Sequence, residues 1–543
     1  MNYGFIIDNR KCIGCHACTV ACKSEHNVPL GVNRTWVKYI EKGLYPHTRR
    51  IFMVTRCNHC ADAPCVEICP VRALYSRSDG IVDFNSDRCI GCKACTQACP
   101  YDALYINPES HTAAKCNYCT HRIETGLEPA CVIVCPVHAI ISGDMDAPDS
   151  EIATLLASEP VQVRKPEKNT RPKLFYIDAD EAALTPSLAP KDSDYMWSSQ
   201  SGAVGHGLKQ AEGPELPGFE GAGFLATLLK EPENLFGAKE SGHKPKPRGF
   251  VANALAKARR VYDVPSEGVM WGWEVAAYIW TKAIAAGAVL VPFIAAGLGL
   301  GEQTSFAALT AVIFALLFLG LTGALLVLDL DRPDRFSYVL LRPQWHSWLT
   351  RGAYIVTGYG ILLSLWAITH LIGADAIRDL LHWPIVVFAV MTAIYTGFLF
   401  AQAKGRDFWQ SPALVFQMLM HAFIAGSAAL LLLSMALPFI GFDRVLLVRM
   451  LLGSTVISAG ILAIELSTAH PTLDAEQTAR IITCGVFAPL FWIGVAGLGL
   501  GAPILLIFSG SMIAATLAAV LSLAGLFFHE HIWVRAPQLV PLS

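Results

Sequence analysis

Cysteine placement constrains this chain more than any other feature. Sixteen of its 17 cysteines lie between Cys12 and Cys135, in four groups of four. Cys12, Cys15, Cys18 and Cys22 form C-x2-C-x2-C-x3-C, and Cys89, Cys92, Cys95 and Cys99 repeat it. Cys57, Cys60, Cys65 and Cys69 form C-x2-C-x4-C-x3-C, and Cys116, Cys119, Cys131 and Cys135 form C-x2-C-x11-C-x3-C. Cysteines this dense are either a disulfide scaffold or a set of metal ligands. The opening "MNYGFIIDNRKC" carries no basic n-region, apolar h-region or twin-arginine pair, as an exported disulfide protein would. The expectation is therefore a reducing cytoplasm, where thiols ligate metal.

The groups also repeat in order. "RCNHC" from Arg56 and "KCNYC" from Lys115 are cognate, so the phrase pair at 10–71 recurs at 87–137. The run C-x2-C-x2-C-x3-C resembles the bacterial ferredoxin signature, in which the fourth cysteine reaches a neighbouring cluster. Pro70, Pro100 and Pro136 follow the fourth cysteine of three groups, as in that run, whereas Lys23 follows Cys22. Zinc prefers isolated four-ligand sites and fits this grammar poorly. The expectation is a duplicated α+β ferredoxin-like domain with four [4Fe–4S] clusters ligated by all 16 cysteines. Four clusters in a row make an electron wire. No Gly-rich dinucleotide loop, phosphate loop or nucleophile–base arrangement accompanies them, so no catalytic residue is assigned.

On these quartets, residues 1–190 resemble the four-cluster electron-transfer subunit of molybdopterin oxidoreductases, such as the polysulfide, dimethyl sulfoxide and formate enzymes. The resemblance implies interlocked ligand sets. These are Cys12, Cys15, Cys18 with Cys135; Cys116, Cys119, Cys131 with Cys22; Cys57, Cys60, Cys65 with Cys99; and Cys89, Cys92, Cys95 with Cys69. It also implies a separate catalytic subunit, molybdopterin-dependent, as the partner.

Hydrophobic residues make up 53% of the chain and charged residues 16%, and the apolar runs crowd the second half. Residues 191–266 are rich in Gly, Ser and Pro without a helical or strand period, and read as an irregular linker. Eight apolar segments follow, near 270–300, 306–330, 349–373, 383–403, 412–441, 445–469, 479–501 and 502–530. Each suffices to cross a bilayer, which takes ~20 residues. "GLGLGAP" reads as the turn between the last two. Basic residues gather before the first span and in the loops after the second and fourth (Arg332, Arg335, Arg342, Arg351, Lys404, Arg406). The opposite loops hold little beyond Arg378 and Arg444. Both ends are thus expected in the cytoplasm, on an inner (cytoplasmic) membrane protein. The net charge of −2 gives no nucleic-acid face.

Residues 267–535 resemble the NrfD-type quinone-reacting membrane subunit of polysulfide reductase. The likeness rests on Trp271-Gly272-Trp273, on "DLDRPDRFSYVLLRP" from Asp329 to Pro343, and on "YTGFLF" with "GRDFWQSP" between Tyr395 and Pro412. Ionisable residues inside a bilayer are costly and mark function. Glu274, Tyr278 and Lys282 share one helical face, with Lys282 ~12 Å deeper than Glu274 at helical rise. Tyr395, His421 and Glu465 lie in the same half. Together they outline a pocket for menaquinone or ubiquinone, with Tyr395, Lys282 and His421 facing the ring and Glu274 carrying protons. Each also has a structural reading: Lys282 as helix glue, Tyr278 as an interface aromatic, and Asp329 with Arg332 and Arg335 as a loop network. His421 reads as the lone histidine well inside a span, with His370 toward the other face, so no haem is expected. Cys484 reads as a packing residue.

The function expected is an electron-transfer and membrane-anchor subunit linking a catalytic subunit to the quinone pool. The alternatives are a proton-translocating energy-coupling module, a stand-alone ferredoxin:quinone oxidoreductase, and a redox sensor or assembly scaffold.

Overall fold

The computed structural model describes residues 1–43, 47–190, 258–264, 268–299 and 304–543. Most of the expected linker lies outside these residues. The N-terminal domain is built on short strands: β1 (Tyr3–Asp8), β2 (Thr35–Lys42), β3 (Arg49–Arg56), β4 (Leu74–Ser76), β5 (Val82–Phe84), β6 (Leu104–Ile106), β7 (Ala113–Lys115), β8 (Ile140–Asp144), β9 (Val161–Gln162), β10 (Leu174–Ile177) and β11 (Ala258–Tyr262). The run YGFIID buries every residue of β1 after Tyr3. That strand centres a four-stranded sheet of order β8-β1-β10-β9, the pattern of a strand covered on both faces. β4–β5 and β6–β7 are two matching hairpins, and β11, β2 and β3 form a third sheet. β11 falls inside the stretch read as irregular. It pairs antiparallel with β2 and buries Ala258 and Val261, which is enough to hold a short edge strand.

The duplication is visible in the backbone. In "CIGCHAC" and "CIGCKAC", Gly14 and Gly91 take φ +70° and +69°, and His16 and Lys93 take φ +61° and +59°. Only glycine adopts the first of these freely, and at Gly91 a Cβ would also sit 2.7 Å from Asp331. Helices Ala17–His26 and Ala94–Ala98 start directly after the left-handed residue. Helix Pro64–Ile68 opens on proline, where the missing N–H costs nothing.

Among the described residues, eight helices are long and apolar enough to cross a membrane: Trp273–Gly297, Ser305–Leu328, Trp348–Leu371, Asp375–Gln402, Ala413–Ala436, Arg444–Ser467, Leu490–Phe508 and Met512–Leu539. The first is central, with nearly every residue from Val275 to Phe293 buried. It meets the fifth at Gly287 and Gly426, where a Cβ on Gly287 would collide with the Ala422 carbonyl oxygen. Small residues let transmembrane backbones touch in this way.

The last two spans differ from the sequence reading. "GLGLGAP" is not a turn: it lies inside the seventh span, whose first part, Leu490–Gly501, is wound as a π-helix. The turn comes at Gly510, with φ +71°. Gly499 instead serves close approach, since a Cβ there would meet Gly525 Cα at 2.7 Å. An amphipathic helix, Leu473–Thr483, capped by Thr472, occupies the start of the segment expected to span.

One apolar core runs through both halves, from Ile68, Ile90 and the cysteines to Trp271, Phe400, Trp409 and Trp533. The domain therefore sits on the bundle as part of the same packed body.

Candidate functional site

The fold interleaves the cysteine groups. Cys22 lies among Cys116, Cys119 and Cys131; Cys99 lies with Cys57, Cys60 and Cys65; Cys69 lies with Cys89, Cys92 and Cys95; and Cys135 lies by Cys12. Helices Pro64–Ile68 and Ala94–Ala98 place Cys69 and Cys99 immediately past their ends, so each fourth cysteine is carried toward the other group. Backbone amides point at the sulfurs. Ala73 N–H donates to Cys69 Sγ and Ala139 N–H to Cys135 Sγ, both at 3.2 Å, at matching places in the two copies. Burial pushes the Cys18 thiol up to about 11 and the Cys99 thiol up to about 12. Thiolates in such pockets need a cation among them, and N–H···S donors favour the ligated form. These sets therefore suit iron–sulfur clusters. Cys15 is exposed and Cys12 and Cys135 are half-buried, whereas most of the other ligand candidates are buried.

The group at Cys89–Cys95 faces the membrane helices. Trp271 Nε1 donates to the Cys92 carbonyl at 3.2 Å, and Arg335 Nη1 to the Cys89 carbonyl at 3.1 Å. The Asp331 and Arg332 amides reach the Gly91 and Ile90 carbonyls at 3.3 Å. Lys93 lies 3.2 Å from Asp331 and 3.9 Å from Asp329. The loop network expected around Asp329, Arg332 and Arg335 is thus a docking loop. Burial raises the Asp329 carboxyl to about 7, against the opposing pull of Lys93.

Beneath this contact the structure gathers most of the expected polar residues. Lys282, fully buried, donates to Thr396 Oγ1 at 2.5 Å and to the Ala393 carbonyl at 3.2 Å. Its ammonium lies 4.5 Å from the Tyr395 ring centroid. Tyr278, one turn earlier, lies beside Tyr395 and Thr396. His421 Nδ1 is 2.6 Å from Glu530 Oε1. Gln417 Nε2 reaches His421 Nε2 at 3.0 Å and Ser458 Oγ at 2.7 Å. Gln417 donates there, so His421 carries its proton on Nδ1 and shares it with Glu530. Glu465 is buried, beside Ser411 and within electrostatic reach of His421. Glu274 stands apart, half-buried in the first turn of the first span.

A small cavity of about 20 Å³ opens at this place, lined by Gln417, His421, Ser458, Gly499, Ser522 and His529 among others. Gln417 Oε1, Ser522 Oγ and both nitrogens of His529 have no hydrogen-bonding partner among the described residues. Buried polar atoms seldom go unmatched, so the cavity suits a polar occupant. The long π segment borders it, as such segments often do at functional sites.

Sequence reasoning missed Gln417, His529 and Glu530. His421 is not the lone buried histidine of the spans. The last helix runs unbroken from Met512 to Arg535, so "HEH" at 529–531 lies in its body, and His529 meets His421 edge-on at 4.6 Å. Three ionisable residues inside an apolar run were the available signal. The ligating atoms of His421, His529 and Glu530 lie within 4.8 Å of one another. Both His421 nitrogens are already hydrogen-bonded, which reads as a proton-sharing pair rather than a metal centre.

Comparison with known proteins agrees with this division. The family described as polysulphide reductase, NrfD matches residues 264–541. The 4Fe-4S dicluster domain matches residues 11–74 and 48–145. Over 190 residues the sequence is 46% identical to a tetrathionate reductase subunit of Salmonella typhimurium, covering 34% of this chain and 76% of that one. It is 44% identical over 180 residues to a polysulfide reductase chain of Wolinella succinogenes, covering 32% and 93%. It is 34% identical over 227 residues to the arsenate respiratory reductase iron-sulfur subunit ArrB of a Shewanella species, covering 33% and 96%. The chain therefore belongs to the NrfD polysulphide reductase family, as a multi-pass membrane protein whose bundle is fused behind a 4Fe-4S dicluster domain of the kind found in reductase iron–sulfur subunits.

Proposed function

We propose that this chain carries electrons between a separate catalytic subunit and the membrane quinone pool, through four [4Fe–4S] clusters. The observation that carries the proposal is a juxtaposition. The Cys89–Cys95 loop rests on the ends of the first and second spans, and the Lys282, Tyr395, His421 and Glu530 group lies just inside the bundle beneath it. The ligand sets are Cys12, Cys15, Cys18, Cys135; Cys22, Cys116, Cys119, Cys131; Cys57, Cys60, Cys65, Cys99; and Cys69, Cys89, Cys92, Cys95. Bound clusters supply one-electron transfer.

A quinone takes two electrons and two protons at its carbonyl oxygens. In this reading Lys282 supplies an ammonium to one such oxygen, and the hydroxyls of Tyr278 and Tyr395 beside it are further donors. The His421–Glu530 pair holds a movable proton, and Gln417 fixes its tautomer. Glu465 and Glu274 lie toward the membrane surface, as proton carriers would. The site takes menaquinone or ubiquinone. At the far end, exposed Cys15 is accompanied by exposed Ile13, Val20, Ile133 and Val134. An apolar face around a surface ligand suits a docked catalytic subunit, and the partner proposed is a molybdopterin-dependent reductase subunit. The membrane is the inner membrane, with the cysteine domain on the cytoplasmic side.

The test is quinol-driven reduction of the purified full chain in detergent, followed by the bleaching of cluster absorbance. Bleaching by a menaquinol or ubiquinol analogue is the expected result. Clusters that dithionite reduces and quinol does not would sink the proposal. So would an iron and sulfide content well below about four of each per quartet. The hydrogen-bonded run Ser458–Gln417–His421–Glu530 favours a second reading, in which quinone turnover moves protons across the membrane. Proton release from proteoliposomes separates the two.

A further inference from the structure

Arg56 closes β3 and is 1% exposed. Its Nη1 donates to Cys131 Sγ at 3.1 Å, and its guanidinium carbon lies 4.6 Å from the Phe5 ring centroid. Among the described residues Nε and Nη2 have no partner, and no carboxylate pairs with the side chain. The thiols that lie nearest in its electrostatics are those of Cys131, Cys116 and Cys18. These belong to two of the proposed sets, so the guanidinium stands between them. Lys115, at the cognate place in the second copy, is fully buried as well. It spends its protons on the carbonyls of Val82 and Cys116 rather than on sulfur.

A buried, unpaired cation is among the costlier features a fold can carry. Its counter-charge must come from something anionic in the pocket. A cluster held by four thiolates is anionic and gains one further negative charge on reduction, with no bond made or broken. A fixed positive charge and an N–H···S donor both favour the reduced state and raise the potential.

Building on the electron-wire reading above, we infer that Arg56 is the shared counter-ion of the cluster pair held by Cys12, Cys15, Cys18, Cys135 and by Cys22, Cys116, Cys119, Cys131. It sets that pair to a higher potential than the pair near Lys115 and the membrane. Fold duplication supplied one cation per copy, and a guanidinium in only one of them makes the two pairs unequal. Arg56 acts through the ligand sulfurs and is a positioning and tuning residue.

The experiment is a redox titration of the detergent-solubilised full chain, followed by electron paramagnetic resonance, with iron and sulfide measured on each sample. Arg56→Gln removes the charge at similar length, and Arg56→Lys retains it. The expected result is full iron in Arg56→Gln with the midpoint potentials of two of four clusters shifted downward, and a smaller shift in Arg56→Lys. Full iron with all potentials unmoved in Arg56→Gln overturns the inference. If Arg56→Gln fails to hold iron, Arg56→Lys decides: a restored load upholds the counter-ion role, and loss in both overturns it, because shape rather than charge is then what matters. Wild-type protein without cluster iron would instead sink the electron-wire reading itself.

Discussion

Glu530 is, among the described residues, the carboxylate that faces both the imidazole of His421 and the ammonium of Lys282 inside the bundle. It lies 2.6 Å from His421 Nδ1, and its charge acts on Lys282. Removing it leaves both without compensation. Glu530→Gln keeps the shape and a hydrogen-bonding oxygen but cannot hold the proton. The expected outcome is a full iron load with quinol-driven bleaching slowed ~10²–10⁴-fold, the range for a lost acid–base group. Stopped-flow measurement of cluster bleaching checks it, and a wild-type rate in this variant would remove Glu530 from the proton path. Lys282, Tyr395 and His421 are legible in the sequence because each interrupts an apolar run, and a polar residue there is conspicuous. Glu530 and His529 are not, because the apolar run fades near residue 530 and puts them at the edge of the expected span. The helix continues because Trp533 and Ile532 are buried and the segment from Ala536 folds back under Arg406. That contact belongs to tertiary structure and leaves no local mark.

At the scale of elements, glycine carries two different meanings that spacing does not separate. Gly14 and Gly91 are required by positive φ, and their repetition in two cognate phrases makes them readable. Gly499 and Gly287 are required by touching backbones, which depends on how separate helices pack: Gly499 against Gly525 of the next span, and Gly287 against Ala422 of the fifth. "GLGLGAP" therefore has the look of a turn and is a packing surface. The first and fifth spans test this reading. A Cβ on Gly287 would collide with the Ala422 backbone, whereas one on Gly320 in the second span would meet nothing within 4 Å. Gly287→Ala is expected to destabilise the bundle by ~1–3 kcal/mol or more, as overpacking does. Gly320→Ala is expected to be neutral or to stabilise by up to ~1 kcal/mol through helix propensity. Thermal unfolding of the detergent-solubilised variants checks the pair, and equal melting temperatures would show that the crossing tolerates a wider spacing.

For the whole molecule, the cysteine domain, the loops after the second, fourth and sixth spans, and Ala536–Ser543 all meet at one end of the bundle. Ser347 reaches the Ile68 carbonyl at 2.6 Å, Arg406 reaches Gln97 at 3.0 Å, and Lys165 pairs with Asp474 at 3.1 Å. Arg332, Arg335 and Arg406 donate to carbonyl or amide oxygens of the docked domain. Docking alone would therefore account for part of the basic bias that suggests orientation. Setting those three aside, exposed Arg342 and Arg480 remain at this end with Arg351 and Lys404. At the opposite end, Arg378 is flanked by Asp375 and Asp379, and Arg444 donates to the Ser434 carbonyl. Acidic neighbours count for little in topology, so the comparison rests on four basic residues against two, and it supports the proposal that the cysteine domain lies inside. A green fluorescent protein joined after Ser543 is then expected to fluoresce, and an alkaline phosphatase at the same place to stay inactive. The reverse pair of readings would place the domain outside. The thiols would then have to receive their clusters before export, and the partner subunit would have to be sought on that side of the membrane.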